Sequence, residues 1–245
     1  MIGLPFAVVF SALSLVAGAV AAVAGFGIGS LLTPFLALAT GAKLAVTAVA
    51  IPHFVGSVQR FWILRRHVDR RVLWRFGIAS AIGGLIGAVL NTQGSSRLLA
   101  IVFGLAVGLA GISELTGWMR RVRWGSWAAS VAGIVSGVLG GLVGNQGGIR
   151  SAALLGFDVP KESFVATATA IALFVDVARL PIYLASQGPE ILALWPALAA
   201  ASAAVLVGTA VGTRVLGRLP QEGFHRVVGV ALIALGVFMI ASGSA

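Results

Sequence analysis

Arg150 is a guanidinium group in apolar surroundings, and it follows Gly144-Asn145-Gln146-Gly147-Gly148-Ile149. These are the residue types of an oxyanion site. Asn145 and Gln146 supply amide donors, and an arginine fork can hold an oxyanion through two parallel bonds. Gly147 and Gly148 would open a half-helix, whose free N–H groups and positive dipole end favour an anion. The bland reading of Arg150 is a side chain snorkelling to an interface; its place beside the glycine break argues for the site. A second break, Ala24-Gly25-Phe26-Gly27-Ile28-Gly29-Ser30, is closed by Thr33-Pro34. In lipid every backbone polar group must be satisfied, so irregular chain at membrane depth survives only where it is buried or lines a cavity. Two such breaks at corresponding places point to a transporter's binding site.

Further ionisable groups fall inside apolar runs, where they are costly and mark function by default. Asp176 and Arg179 are three residues apart on one predicted helix face, with Thr169 two turns earlier. They read either as a structural ion pair or as a substrate or proton-coupling pair. The matching helix of the first half carries His53, Gln59 and Arg60. His53 is a candidate coupling group, because its proton exchanges near neutrality, or else a packing residue after Pro52. Gln59 aligns with Arg179, and Arg60 is expected at the cytoplasmic rim. Thr47 and Thr167 either line the pathway or bond back to their own helices. Glu114 is expected in a surface ion pair with Arg120 or Arg121, and His67 and His225 in loops.

Several chemistries are excluded. No cysteine is present and the three histidines are scattered, so no disulfide, thiolate or metal-ligand spacing exists. No His-Glu-x-x-His occurs. Gly29-Ser30-Leu31 does not match an intramembrane serine protease, and neither break carries the Asn-Pro-Ala of water channels. No cofactor is expected and the chain is not expected to be an enzyme. The formal charge of +10 is not a nucleic-acid signature. Arg60, Arg65, Arg66, Arg70, Arg71 and Arg75 gather in or beside one loop and Arg120, Arg121 and Arg123 in another, the pattern of cytoplasmic loops.

These groups must be positioned by membrane helices. Hydrophobic residues make up 59% of the 245 and charged residues 10%, so the chain is an all-α polytopic membrane protein. The first apolar stretch lacks a positive n-region and runs on into the glycine motif, so it reads as a retained helix. Landmarks recur in order: Gly25 and Gly144 are 119 apart, Thr47 and Thr167 120, and Trp74 and Trp195, like Gly87 and Gly208, 121. Two homologous halves, 1–120 and 121–245, follow. Each is expected to hold about four spanning helices and one glycine-rich re-entrant or broken helix. The first half predicts helices near 5–24, 44–64, 73–91 and 97–117, with a short segment near 29–40. The second predicts helices near 127–143, 162–185, 191–213 and 225–242, with a short segment near 148–157. An even number of spans per half makes the repeats parallel with both termini inside; a short segment that spans in one half only would make them inverted. Arg214, Arg218 and Arg226 disagree, because that scheme puts them outside, while the uncharged-to-acidic loop Gln187-Gly188-Pro189-Glu190 falls inside.

At these motifs the chain resembles the TauE/SafE family of membrane transporters, the sulfite exporters or anion permeases. The resemblance covers nearly the whole chain. It rests on the two breaks, on Ala45-Val46-Thr47-Ala48 and Val165-Ala166-Thr167-Ala168, and on Arg65-Arg66-His67-Val68-Asp69. Ile28 stands where the family often has glycine, Asn145-Gln146 where glycine with an apolar residue is usual, and Arg150 where an apolar residue is common. The resemblance implies a multi-pass secondary transporter of a small anion, a sulfur oxyanion or organosulfonate such as sulfite, in a bacterial plasma (inner) membrane. Its site would lie at midplane between the halves. Gly25, Gly27, Gly29, Gly144, Asn145, Gln146, Gly147, Gly148, Arg150, Gln59 and Arg179 would bind the substrate. His53 and Asp176 would serve coupling by proton or sodium, and Thr47, Thr167 and Thr169 would line the pathway. An anion channel and a non-transporting assembly protein docked through loop 65–75 are the alternatives, and a homo-oligomer stays open.

Overall fold

The computed structural model describes residues 4–117, 126–144 and 161–215, together with Gly147, Arg150, Leu154, Ile233 and Val237. All the regular structure among the described residues is helical, with no strand. Helix α1 is Leu4–Ala24, α2 Ile28–Thr40 and α3 Ala42–Leu64. A basic turn, Arg65–His67, leads to α4, the apolar span Arg70–Gln93, which contains a π-helical turn at Leu73–Gly77. Then follow α5 (Ser96–Thr116), α6 (Ser126–Val143), α7 (Lys161–Ala193) and α8 (Trp195–Val215). The predicted short segment 148–157 and last helix 225–242 lie almost wholly outside the described residues.

Four helices among the described residues are long and apolar enough to cross a membrane: Leu4–Ala24, Arg70–Gln93, Glu162–Ala193 and Trp195–Arg214. The sequence suggested about eight. Helix α3 has 23 residues, enough to span, but carries Lys43, His53, Gln59 and Arg60, and α6 has only 18 residues. The outer surface is apolar, with Val8, Leu15, Ile82, Ile86, Leu105 and Val207 all exposed. That is a surface for acyl chains, not water. Trp62, Trp74, Trp127 and Trp195 stand exposed near helix ends, where indole rings favour the headgroup level.

The directions of the helices follow from their contacts. Along α3 and α7, Thr47 meets Gln187, His53 meets Asp176 and Arg60 meets Thr169, so these two run antiparallel. Helices α1 and α8 run parallel: a side chain at Gly208 would strike the Leu15 carbonyl and one at Gly212 that of Ala19. Helices α4 and α6 are also parallel, with Gly83 against Ile134 and Gly87 against Val138. Ile51 of α3 shares a cavity with Leu198 and Ser202, and Gly56, further along, faces Val205 and Thr209, which sets α3 parallel to α8 and hence to α1. Helix α2 must therefore bring the chain back between them. It does so in 13 residues, about 20 Å of helix, and Phe35 near its end stacks on Phe6 and Phe10 near the start of α1.

This corrects the expected parallel arrangement. Because α2 adds a return, α3 and α7, which carry the Thr47 and Thr167 landmarks, point in opposite senses. The start of α1 lies with Lys43, Arg97 and Glu190 at one end of the bundle. Arg65, Arg66, Arg70, Arg71 and Arg214 lie at the other, which the positive-inside rule assigns to the cytoplasm. Arg214 thus joins the other arginines instead of opposing them. The expected loop at Gln187-Gly188-Pro189-Glu190 is instead a kink inside α7, where Gln187 alone leaves helical geometry (φ −137°, ψ 25°).

Candidate functional site

The two breaks meet. Gly25 and Gly144 both take left-handed backbone, φ 79° and 74°, which glycine adopts at little cost. A Cβ on Gly29 would collide with the carbonyl of Gly144, and one on Gly147 with the ring of Phe26. Arg150 donates from Nη2 to the Gly25 carbonyl at 3.4 Å. Gly25, Phe26 and Gly29 therefore lie antiparallel to Gly144, Gly147 and Arg150, with Gly29 admitting the Gly144 carbonyl and Gly147 the Phe26 ring. Asn145, Gln146 and Gly148 fall outside the described residues.

Beside this crossing α3 and α7 hold a buried ionic cluster. Asp176, wholly buried, uses both carboxylate oxygens. Oδ2 accepts from His53 Nδ1 at 2.7 Å. Oδ1 receives Arg179 Nε at 3.0 Å and Nη2 at 2.7 Å. Arg179 also donates from Nη1 to the Gly140 carbonyl, and Tyr183, one turn later, to that of Gly141. Arg179 is thereby tied to α6, and its charge is matched by Asp176.

Arg60 is the residue the sequence misplaced. It is not at the rim: it is 1% exposed and donates from Nε to Thr169 Oγ1 at 2.8 Å. Its Nη2 lies 3.4 Å from Ser57 Oγ, and Nη1 has no hydrogen-bond partner. Arg150 is equally buried, and its Nε and Nη1 are without partners. Helix α7 links the two arginines: Arg60 holds Thr169, and Gly25, whose carbonyl receives Arg150, packs on Val165 and Ala168 within the turn before it. Thr33, just after the first break, adds a buried hydroxyl without a partner, close to Gly144. Nothing but its place after the glycine motif pointed to it.

The other candidates are placed as follows. Thr169 accepts from Arg60 and donates to the Val165 carbonyl, so it belongs to the cluster. Thr47 Oγ1 lies 3.0 Å from the Leu44 carbonyl of its own helix, the back-bonding alternative, and 2.6 Å from Gln187 Oε1 at the kink of α7, away from the cluster. Thr167 accepts the backbone N–H of Asp69, whose carboxylate caps the start of α4 through Val72 N–H. The acidic residue of the basic loop is thus a helix cap docked on α7. Gln59 is half-buried with Oε1 unpartnered, and it is Arg60, not Gln59, that reaches α7. No group of three or more potential metal ligands occurs among the described residues.

Buried donors with nothing to donate to are expensive, each costing about 1–3 kcal/mol or more when charged. Three guanidinium nitrogens, Nη1 of Arg60 and Nε and Nη1 of Arg150, are left in this state beside the meeting of the two glycine motifs. Comparison with known families gives a match of residues 10–239 to the one described as "Sulfite exporter TauE/SafE". No match is found among curated proteins or among solved structures.

Proposed function

From the premise that the chain belongs to the sulfite exporter TauE/SafE family, a family of membrane transporters, we propose that it moves a small sulfur oxyanion or organosulfonate by alternating access. The observation that carries this reading is the set of unpartnered guanidinium nitrogens, Nη1 of Arg60 and Nε and Nη1 of Arg150, at the crossing of the breaks. The substrate sits there, held by both arginines, by Thr33, by the amides of Asn145 and Gln146, and by backbone N–H groups of the breaks. Arg179 and Asp176 form the floor, and His53 exchanges the coupling proton through Asp176.

The halves 1–120 and 121–245 act as inverted repeats rocking about this site. Support comes from the reciprocity of the packing. The first helix of each half lies parallel to a late helix of the other, α1 on α8 and α6 on α4, through glycines set against carbonyls. The bacterial plasma membrane is the proposed location.

The test is thermal stability of the purified protein against sulfite, sulfate, thiosulfate, sulfoacetate, acetate and chloride. A ligand at 100 times its Kd stabilises the folded state by about 2.7 kcal/mol, a visible melting shift. Sulfur oxyanions should give it, and Arg150→Ala should fold but lose it. Arg150→Lys should recover little, because lysine lacks the planar fork. An undiminished shift in both variants removes Arg150 from the site.

A further inference from the structure

Charge accounting within the cluster says more about the ligand than its size does. Three guanidinium groups, Arg60, Arg150 and Arg179, are each at most 1% exposed. One carboxylate, Asp176, accompanies them, and it is spent: Oδ1 is held twice by Arg179 and Oδ2 by His53. A neutral His53 suffices for that contact, since Nδ1–H donates. Arg60 has only hydroxyl partners, Thr169 and Ser57. Among the described residues Arg150 has only a carbonyl, that of Gly25. The remaining acidic side chains described are elsewhere: Asp69 caps α4, and Glu162 and Glu190 are exposed. Among the described residues two positive charges at the crossing therefore have no counter-charge.

We propose that this site selects its anion by charge, taking one dianion that neutralises Arg60 and Arg150 together and discriminating against monoanions of the same shape. The inference rests on the anion-site reading above and adds Arg60 as the residue that sets the charge requirement. Uncompensated charge inside a membrane protein is costly, and a single dianion relieves both arginines without a second particle to order. A monoanion leaves one guanidinium bare. At 4 Å each missing charge interaction is worth roughly 1,000-fold in binding with an effective dielectric of 20, and the larger desolvation of a dianion takes back about a tenfold share.

The test uses sulfate and methanesulfonate, which are close in shape and differ by one charge. Melting shifts of the purified protein are titrated with each at constant ionic strength. Sulfate should bind roughly 100-fold tighter than methanesulfonate. In Arg60→Met, which keeps the buried stem and removes one charge, the ratio should fall toward unity, with sulfate affinity lost and methanesulfonate affinity retained. Equal affinities in the unaltered protein overturn the charge requirement while leaving an anion site in place, and that result does not depend on the variant folding. An Arg60→Met that weakens both anions equally removes Arg60 from charge selection. Failure of every anion, sulfite included, to shift the melt overturns the anion-site reading and this inference with it.

Discussion

Asp176 divides its two oxygens between helices: one toward His53 of α3, the other toward Arg179 of its own α7. That arrangement makes it the residue whose loss should cost most. Asp176→Asn leaves Arg179 charged, buried and facing an amide, and removing one partner of such a pair costs about 3–5 kcal/mol. Asp176→Asn is therefore expected to melt far below the parent, and Asp176→Asn/Arg179→Gln to recover much of the loss. A double-mutant cycle read by thermal melting checks this; additive losses would show that the pair is not a unit. At this scale the sequence was informative about Asp176, Arg179, His53 and Arg150, because a charge in an apolar run cannot be incidental. It failed at Arg60. Setting the halves 120 apart paired Gln59 with Arg179, whereas the 119 separation of Gly25 and Gly144 pairs Arg60 with it. One residue is a turn of 100° on a helix, enough to send a site residue to the rim on paper.

Between elements the recurring device is a glycine laid against a carbonyl of the facing helix. Without a hydrophobic drive between helices in lipid, close backbone approach has to supply the association. Gly208 against Leu15 and Gly87 against Val138 are two instances. Gly208→Ala and Gly87→Ala should each destabilise by about 1–3 kcal/mol, the usual cost of overpacking. Gly108→Ala on α5 meets nothing within 4 Å and should be neutral, with melting again the measurement. A Gly208→Ala as stable as the parent would separate α1 from α8. These glycines also explain an ambiguity in the repeat. By packing partner Gly208 corresponds to Gly83 and Gly212 to Gly87, whereas the sequence matched Gly87 to Gly208. Glycines four residues apart on both helices let the alignment slip by a turn without penalty. Helix limits were legible where glycine or proline stood at the boundary, as for α2. They were not legible at Gln187, where Thr47, 140 residues away, fixes a kink that local sequence reads as a loop.

For the whole molecule, helix direction decides which groups share a side of the membrane. The chain lacks cysteine, so single cysteines can report it directly. Arg71→Cys and Arg214→Cys should react with an impermeant maleimide from one side, and Glu190→Cys from the other. Labelling of Glu190→Cys together with Arg71→Cys would restore the parallel arrangement. Composition and charge made the membrane class plain, but counting spans could not reveal the return made by the 13-residue α2, which is too short to be counted. The uncompensated pair Arg60 and Arg150 bears on the molecule as an electrical device. If a dianion cancels them, the loaded carrier crosses without moving charge, and the empty one crosses as a double cation. A voltage negative inside acts on that step with about 2.3 kcal/mol per charge for each 100 mV, pulling the vacant site back toward the cytoplasm. In outward transport by the proposed alternating access, the resting potential resets the carrier after each delivery.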